Sequence, residues 1–454
     1  MSVPAEASGP AASDPLPQQT AASEAAPQAV TEAETGAETR GDAHAAESTG
    51  EVRPSWRGGR ALLVVLGCLS AIGPLSIDTY LPALPAITSE LLTGPAQVQL
   101  TLTACLIGVS MGQVVSGPLS DVLGRKRPLL AGMAGYTLAS LLCAFAPTVQ
   151  ALIALRLLQG FTGGAALVVV RAIARDLYGG PALARIFATI MLVSGLAPIL
   201  APIAGAQLLN ITSWRGIFLA LGLLGVAMLV AVLAGVRETL PSAARQAGGL
   251  RRSVVSFGRL LREPSFMACG LAAGFGFGGM FLYISGSPFL LQEVYGVSPQ
   301  TYSLVFGLNA FGLIAAAQTS GRLSGRVRPE LLVVFGSLLT LAGASFLLVA
   351  VLAGMALPAV VVALFVAMCG AGFVMPGSGA LALASQPSQV AGSASALLGV
   401  VQFAFGGLTA PLMGLFGGGS AAPMAAMWVT ASFLGLAAFV LLRRLGGRRS
   451  VSAG

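Results

Sequence analysis

Two charges stand where the surrounding sequence is apolar. Asp78 lies in PLSIDTYLPALP (74–85), within an uncharged run that begins at Ala61, and Arg156 opens RLLQGFTGG (156–164) inside another. A carboxylate can take up and return a proton, and burial and a nearby arginine pull its occupancy in opposite directions. An arginine does not release its proton, so at depth it must be paired or hydrated. The natural partner of Arg156 is Asp78 or a carbonyl exposed by Gly73 or Pro74. A carboxyl that changes charge beside a fixed cation is the chemistry of a proton-coupled device. The structural alternatives are an ion pair or a helix cap beside Pro82 for Asp78, and an interhelical polar clamp for Arg156.

Other chemistry is poorly served. The single histidine, His44, lies in an acidic N-terminal stretch. Cys68, Cys105, Cys143, Cys269 and Cys369 fall inside apolar runs without paired spacing, so neither a metal site nor a disulfide framework is expected. The glycine-rich GFGFGG and FGGGS are not phosphate loops, because no lysine and hydroxyl follow at the required spacing. The sequence predicts neither an enzyme nor an ATP-driven pump, and no cofactor other than protons as the coupling ion.

The elements that must hold Asp78 and Arg156 are membrane helices. Apolar residues make up 55% of the 454 residues, charged ones only 9%, and mean hydropathy is +0.84. That leaves too little polar surface for a soluble globule. A hydrocarbon core about 30 Å thick needs roughly 20 apolar residues per helix. Twelve such cores are expected near 61–82, 98–119, 129–146, 149–172, 185–208, 214–236, 266–290, 301–321, 331–353, 358–380, 394–415 and 424–442. All but three of the 25 basic residues (Arg40, Arg156 and Arg215) lie before the first span, after the last or in alternate loops. This places both termini in the cytoplasm. The net charge of +8 therefore speaks for anionic lipid and not for nucleic acid.

The polar break after Arg237 divides the spans six and six. Expected boundaries are a disordered acidic tail over 1–52, six-helix bundles over 53–236 and 265–443, a basic linker over 237–264 and a basic C-terminus over 444–454. The tail lacks the basic-then-apolar order of a secretory signal. GPLSDVLGRKRPLL from Gly117 and GRLSGRVRPELL from Gly321 form a weak repeat, with Gly325 where the first copy has Asp121. Duplicated halves around a midplane site are expected of an alternating-access carrier.

With these motifs the chain resembles the major facilitator superfamily: SGPLSDVLGRKRPLL is similar to its loop motif between the second and third helices. RLLQGFTGGAALVVVRAIARDLY and SGLAPILAPIAGAQLL resemble the drug:proton antiporters. IDTYLPALP, YISGSPFLLQEVYGVSP and GSASALLGVVQFAFGG look like the bicyclomycin-resistance (Bcr/CflA) branch. The resemblance spans about residues 60 to 445. It implies an all-α fold of twelve transmembrane helices in two pseudo-symmetric six-helix bundles, in the cytoplasmic (inner) membrane. It also implies proton coupling through Asp78 and Arg156, with Gln159 and Gly160 continuing the arginine's motif. A bent helix built on Gly195, Pro198, Pro202 and Gly205 would favour exchange over uptake. Ala201 and Ala206 depart there from the commoner glycines. Gly117, Asp121, Gly124 and Arg125 would form a cytoplasmic gate. Gln113, Gln159, Tyr283, Asn309, Gln402 and Phe405 are the candidate substrate contacts. A few polar groups among apolar walls suit amphipathic drugs better than sugars.

The expected function is drug:proton antiport by a monomer in the lipid bilayer, in which protonation of Asp78 breaks its pairing with Arg156. An exporter of an endogenous metabolite, such as an amino acid or a self-made antibiotic, is the alternative.

Overall fold

A computed structural model describes residues 60–178, 180–242, 245, 258, 260–384, 386, 391–415 and 421–451. The acidic tail, most of the linker and the last three residues lie outside the described residues. The regular structure described is helical throughout. The helices are α1 (Arg60–Asp78), α2 (Leu84–Glu90), α3 (Pro95–Leu123), α4 (Lys126–Ala144), α5 (Val149–Leu177), α6 (Gly180–Leu208) and α7 (Trp214–Gly235). They continue with α8 (Pro264–Pro288), α9 (Pro299–Leu323), α10 (Pro329–Leu352), α11 (Leu357–Ala384), α12 (Ala391–Leu415) and α13 (Ala421–Val451).

Twelve spans result, because α1 and α2 are two pieces of one. Ten described stretches are long and apolar enough to cross a membrane, and Leu397–Thr409 is a shorter apolar helix within α12. Arg125, Lys126 and Arg127 give α4 a polar start, yet its apolar remainder packs between α5 and α7. Prolines set many of the starts: α3, α8, α9 and α10 each begin on one, where the missing N–H costs nothing.

Helix partners repeat in the two halves. In the first, α3 packs on α5, α4 on α7, and α1 on α6. In the second, α9 packs on α11, α10 on α13, and α8 on α12. Close approach between α3 and α5 needs small residues, since lipid supplies no hydrophobic drive between helices. A Cβ at Gly160 would sit 2.1 Å from the Cys105 carbonyl. The halves meet through α3 against α12 and α6 against α9.

The buried cores show where that meeting is tight. At the end remote from the basic loops, here the distal end, one apolar cluster runs across both halves, from Tyr80, Leu84 and Trp214 to Tyr283, Tyr302 and Trp428. At the basic end each half has its own cluster, around Leu66, Met133 and Val170 in the first and Phe266, Val333 and Leu397 in the second.

Candidate functional site

The expected first span of 61–82 is broken, and its prolines explain the break. Pro74 has no N–H to offer the Ser70 carbonyl, and Ser194 of α6 donates its hydroxyl to that carbonyl (3.4 Å) and to Ser70 Oγ (2.9 Å). Pro82 and Pro85 remove two more donors. The helix therefore stops at Asp78, makes a 3₁₀ turn over Leu81–Ala83 and resumes as α2. That turn packs on α6, α8 and α9. Gly205 of α6 allows this, because a Cβ there would lie 1.7 Å from the Thr79 carbonyl.

Asp78 sits at the break, 5% exposed, and is the only acid buried among the described residues. No hydrogen bond or ion pair among those residues reaches its carboxylate. The phenols of Tyr283 in α8 and Tyr302 in α9 lie within its electrostatic range, so its neighbours include the second half. Asn309 Nδ2 donates to Tyr283 Oη (2.9 Å), and the Tyr283 ring stacks on Phe306 with centroids 5.3 Å apart. Ser287 and Tyr302 hydroxyls are 3.5 Å apart.

Arg156 is fully buried and is not paired with Asp78, which corrects the expected ion pair. Its Nη1 donates to the Ser76 carbonyl (2.9 Å) and to Gln159 Oε1 (2.5 Å), and its guanidinium lies 4.5 Å from the Tyr80 ring centroid and 5.7 Å from that of Phe218. The acceptor carbonyl lies in the last turn of α1, where the helix dipole favours a cation. The acceptor is a carbonyl, but not the one that Pro74 leaves without a donor: that is Ser70, which Ser194 takes, whereas the Ser76 carbonyl is left open by the end of α1. Gln159 Nε2 passes the network on to Ser140 Oγ (2.7 Å), and the Tyr80 and Thr101 hydroxyls are 2.5 Å apart.

The candidate substrate contacts divide. Gln159 is fully buried between α4 and α5 and holds Arg156, so it belongs to the first bundle's interior and not to a substrate surface. Tyr283 and Asn309 are buried and bonded to one another, with the Tyr283 phenol within electrostatic range of Asp78. Gln113 on α3 and Gln402 and Phe405 on α12 are half-buried, with the Phe405 ring edge-on to Phe275 at 4.6 Å. In α6, Gly205 has the close contact just described, while a Cβ at Gly195 would meet only Ile314 Cδ1 at 3.9 Å. Pro198 and Pro202 lie inside the same helix.

At the basic end, Arg125 donates from Nη1 to Asp121 (2.5 Å) and to Ser120 Oγ (2.9 Å), and from Nε to Asp176 (2.9 Å). Burial works against its charge, but the hydrogen bonds to Asp176 and Asp121 outweigh burial and hold the guanidinium above its ordinary value. Glu238, just after α7, accepts from the backbone N–H of Arg125 (2.8 Å), Lys126 (3.2 Å), Thr239 (3.1 Å) and Leu240 (3.0 Å). Burial pushes the Glu238 carboxyl up, but the backbone donors and nearby Arg245 prevail and hold it below its usual value. Gly124 is needed here: its φ is +89°, and a Cβ would lie 2.4 Å from Glu238 Oε2. The cluster ties the ends of α3, α4, α5 and α7 together. Among the described residues none of its bonds reaches the second half, so in this conformation the residues expected to form a cytoplasmic gate bond only within the first half and the start of the linker. Gly117 lies within α3, a Cβ there being 3.6 Å from Val168.

Sequence reasoning missed Asp176, Glu238 and the glutamines that join the halves. Asp176 was visible only as the acid in ARDLY, beside arginines that drew attention to topology. The others, Glu238, Gln292 and Gln300, carried no motif of their own, since nearly all their partners are main-chain groups, the Asn210 side chain beside Gln300 excepted.

A two-bundle helical carrier is the class this arrangement defines. The Major Facilitator Superfamily pattern matches residues 66–411, and the chain belongs to that family. It is 39% identical over 393 residues to "Uncharacterized MFS-type transporter YdgK" of Bacillus subtilis (strain 168), covering 86% of this chain and 97% of that protein. It is 32% identical over 364 residues to "Bicyclomycin resistance protein homolog" of Haemophilus influenzae, covering 80% and 91%. The solved human organic anion transporter MFSD10 shares the fold at a TM-score of 0.61 and 21% identity, covering 84% of this chain and 99% of that one. The chain is thus a multi-pass membrane transporter and not an enzyme.

Proposed function

We propose that this protein exports amphipathic small-molecule drugs across the cytoplasmic membrane in exchange for protons, by alternating access. The observation that carries the reading is Asp78: a buried acid without a bonding partner, at a break in a membrane helix, beside the other bundle. An ionised carboxylate at such depth is costly, and protonation removes a charge that has no counter-ion here. Arg156 is not the group it releases. The guanidinium remains tied to the Ser76 carbonyl and fixes the end of α1, while the proton on Asp78 alters what the second bundle meets.

Alternating access is supported by the unequal cores. The bundles share one apolar cluster at the distal end and keep separate ones at the basic end. By the positive-inside rule the basic end is cytoplasmic, with both termini on that side, so this conformation is inward-facing. Drug substrates are supported by the name of the Haemophilus relative and by the half-buried Gln113, Gln402 and Phe405, a sparse polar set among apolar residues.

The test is pH-gradient-driven uptake of labelled bicyclomycin and chloramphenicol into inverted vesicles, comparing wild type with Asp78→Asn. Accumulation should be abolished both by an uncoupler and by the substitution, with membrane insertion unchanged. Active uptake surviving in the variant sinks the proton role of Asp78. A wild-type protein that accumulates neither drug favours a metabolite as cargo.

A further inference from the structure

Two glutamines of the second bundle reach across to the first, both at the distal end. Gln292 Nε2 donates to the Pro82 carbonyl (3.2 Å), and Gln300 Nε2 donates to the Ala206 carbonyl (3.3 Å) and to Asn210 Oδ1 (2.7 Å). Gln292 belongs to a π-helical turn, Phe289–Val294, that follows Pro288 at the end of α8. Such turns are rare and mark places where a helix has been adapted to a task. The span that contains it is the counterpart, six spans on, of the span broken at Asp78.

The acceptors explain why glutamine is the residue used. Pro82 lies in the 3₁₀ turn, and Pro85, three residues on, has no N–H to offer its carbonyl. Ala206 is in the last turn of α6, where the Asn210 amide bonds to Gln207 instead. These are main-chain carbonyls at helix ends that need a donor from elsewhere. A neutral side chain of this length supplies one without burying a charge.

We infer that Gln292 and Gln300 latch the distal mouth of the transporter, and that Gln292 is in addition a positioning residue for Asp78. Its acceptor lies four residues beyond that acid, in the same break. When the bundles part at the distal end, the Gln292 bond must be lost, and the segment after Asp78 is released together with the mouth. The movement of the second bundle is thereby communicated to the acid through the main chain of the 3₁₀ turn, with no ion pair needed. Gln300 holds the end of α6 and latches without that connection. The positioning role rests on the proton-coupled reading proposed above; the latch does not.

The test uses the full chain in nanodiscs. Spin labels go on Ile211→Cys in the first bundle and Val294→Cys in the second, both exposed, with half-buried Cys68 and Cys369 replaced by alanine. Gln292→Met and Gln300→Met keep length and volume while removing the donor. Gln292→Met should raise the population with a separated distal end roughly two- to tenfold, the range of one net hydrogen bond, and Gln300→Met, which loses two, by at least as much. A double variant with an unchanged distance distribution overturns the latch. In vesicles, Gln292→Met should lower proton-driven accumulation relative to drug-for-drug exchange, and Gln300→Met should leave that ratio unchanged. Equal effects of the two on the ratio overturn the positioning role. A failure of Asp78→Asn to abolish uptake would refute proton coupling through Asp78 while leaving the distance result standing.

Discussion

Replacing Gly205 with alanine tests the geometry that creates the break at Asp78. The added Cβ would lie 1.7 Å from the Thr79 carbonyl, and real Cβ contacts essentially never fall below 3.0 Å, so α6 and α1 must separate by at least about 1.3 Å (3.0 minus 1.7). The obstacle is main chain and cannot rotate away. Overpacking of this kind costs about 1–3 kcal/mol. It must also exceed the gain of up to about 1 kcal/mol that alanine brings to a helix interior. Gly195, one of the same helix's motif residues, is the control, because its Cβ would meet only Ile314 Cδ1 at 3.9 Å. Thermal unfolding of the purified protein and drug uptake in vesicles should therefore diverge between the two. Gly205→Ala should be less stable and defective in transport, and Gly195→Ala should be neutral or slightly more stable and active. If Gly205→Ala matched wild type in both assays, the tight packing of α6 on the residue after Asp78 would not exist, and the account of the break would fall with it.

Arg156→Lys keeps the charge but loses the planar face over Tyr80 and cannot reproduce the two-way bonding to Ser76 and Gln159. A loss of about 1–3 kcal/mol in stability is expected from the unpaired Gln159 acceptor alone, and unfolding in detergent would show it. Glu238→Gln should raise hydrogen exchange at the Arg125 and Lys126 amides about fivefold, because charge-assisted bonds to them become neutral ones. Because the folded Glu238 value is depressed, its contribution is present above the ordinary value of 4.5 and is lost as pH falls through the lower folded value. Acidification of wild type should accordingly loosen the same loop, measured as protease cleavage after Arg125 or Lys126, and should not further loosen Glu238→Gln.

The fold was legible because hydropathy, alternate basic loops and a mid-chain polar break all depend on the membrane that the chain spans. Asp78 and Arg156 were legible for the same reason, as charges inside apolar runs. Their pairing was not. A sequence shows that an arginine needs an acceptor, but the acceptor used is the Ser76 carbonyl, exposed by a helix end whose position depends on three prolines acting together. Gln159 read as a cavity residue because a buried amide has no periodicity of its own; its side chain is taken up by Arg156 and Ser140. Glu238 carried no motif, since what it binds is backbone N–H.

Spans one and seven occupy equivalent places in the duplicated halves, and both change helix type at the distal end, but by unlike means. The first breaks through Pro82 into a 3₁₀ turn and carries the only acid buried among the described residues; the seventh widens after Pro288 into a π turn and carries a neutral amide. For the exchange proposed above, that difference has a reason. A second buried acid at the equivalent place would add another desolvated charge, whereas a glutamine offers a donor whose bond depends only on where the bundles stand. The first half thus holds the buried acid, and the second holds the phenols that feel its charge and the amide that bonds to the turn after it. The Gln292 contact to Pro82 joins the two halves four residues of main chain from Asp78.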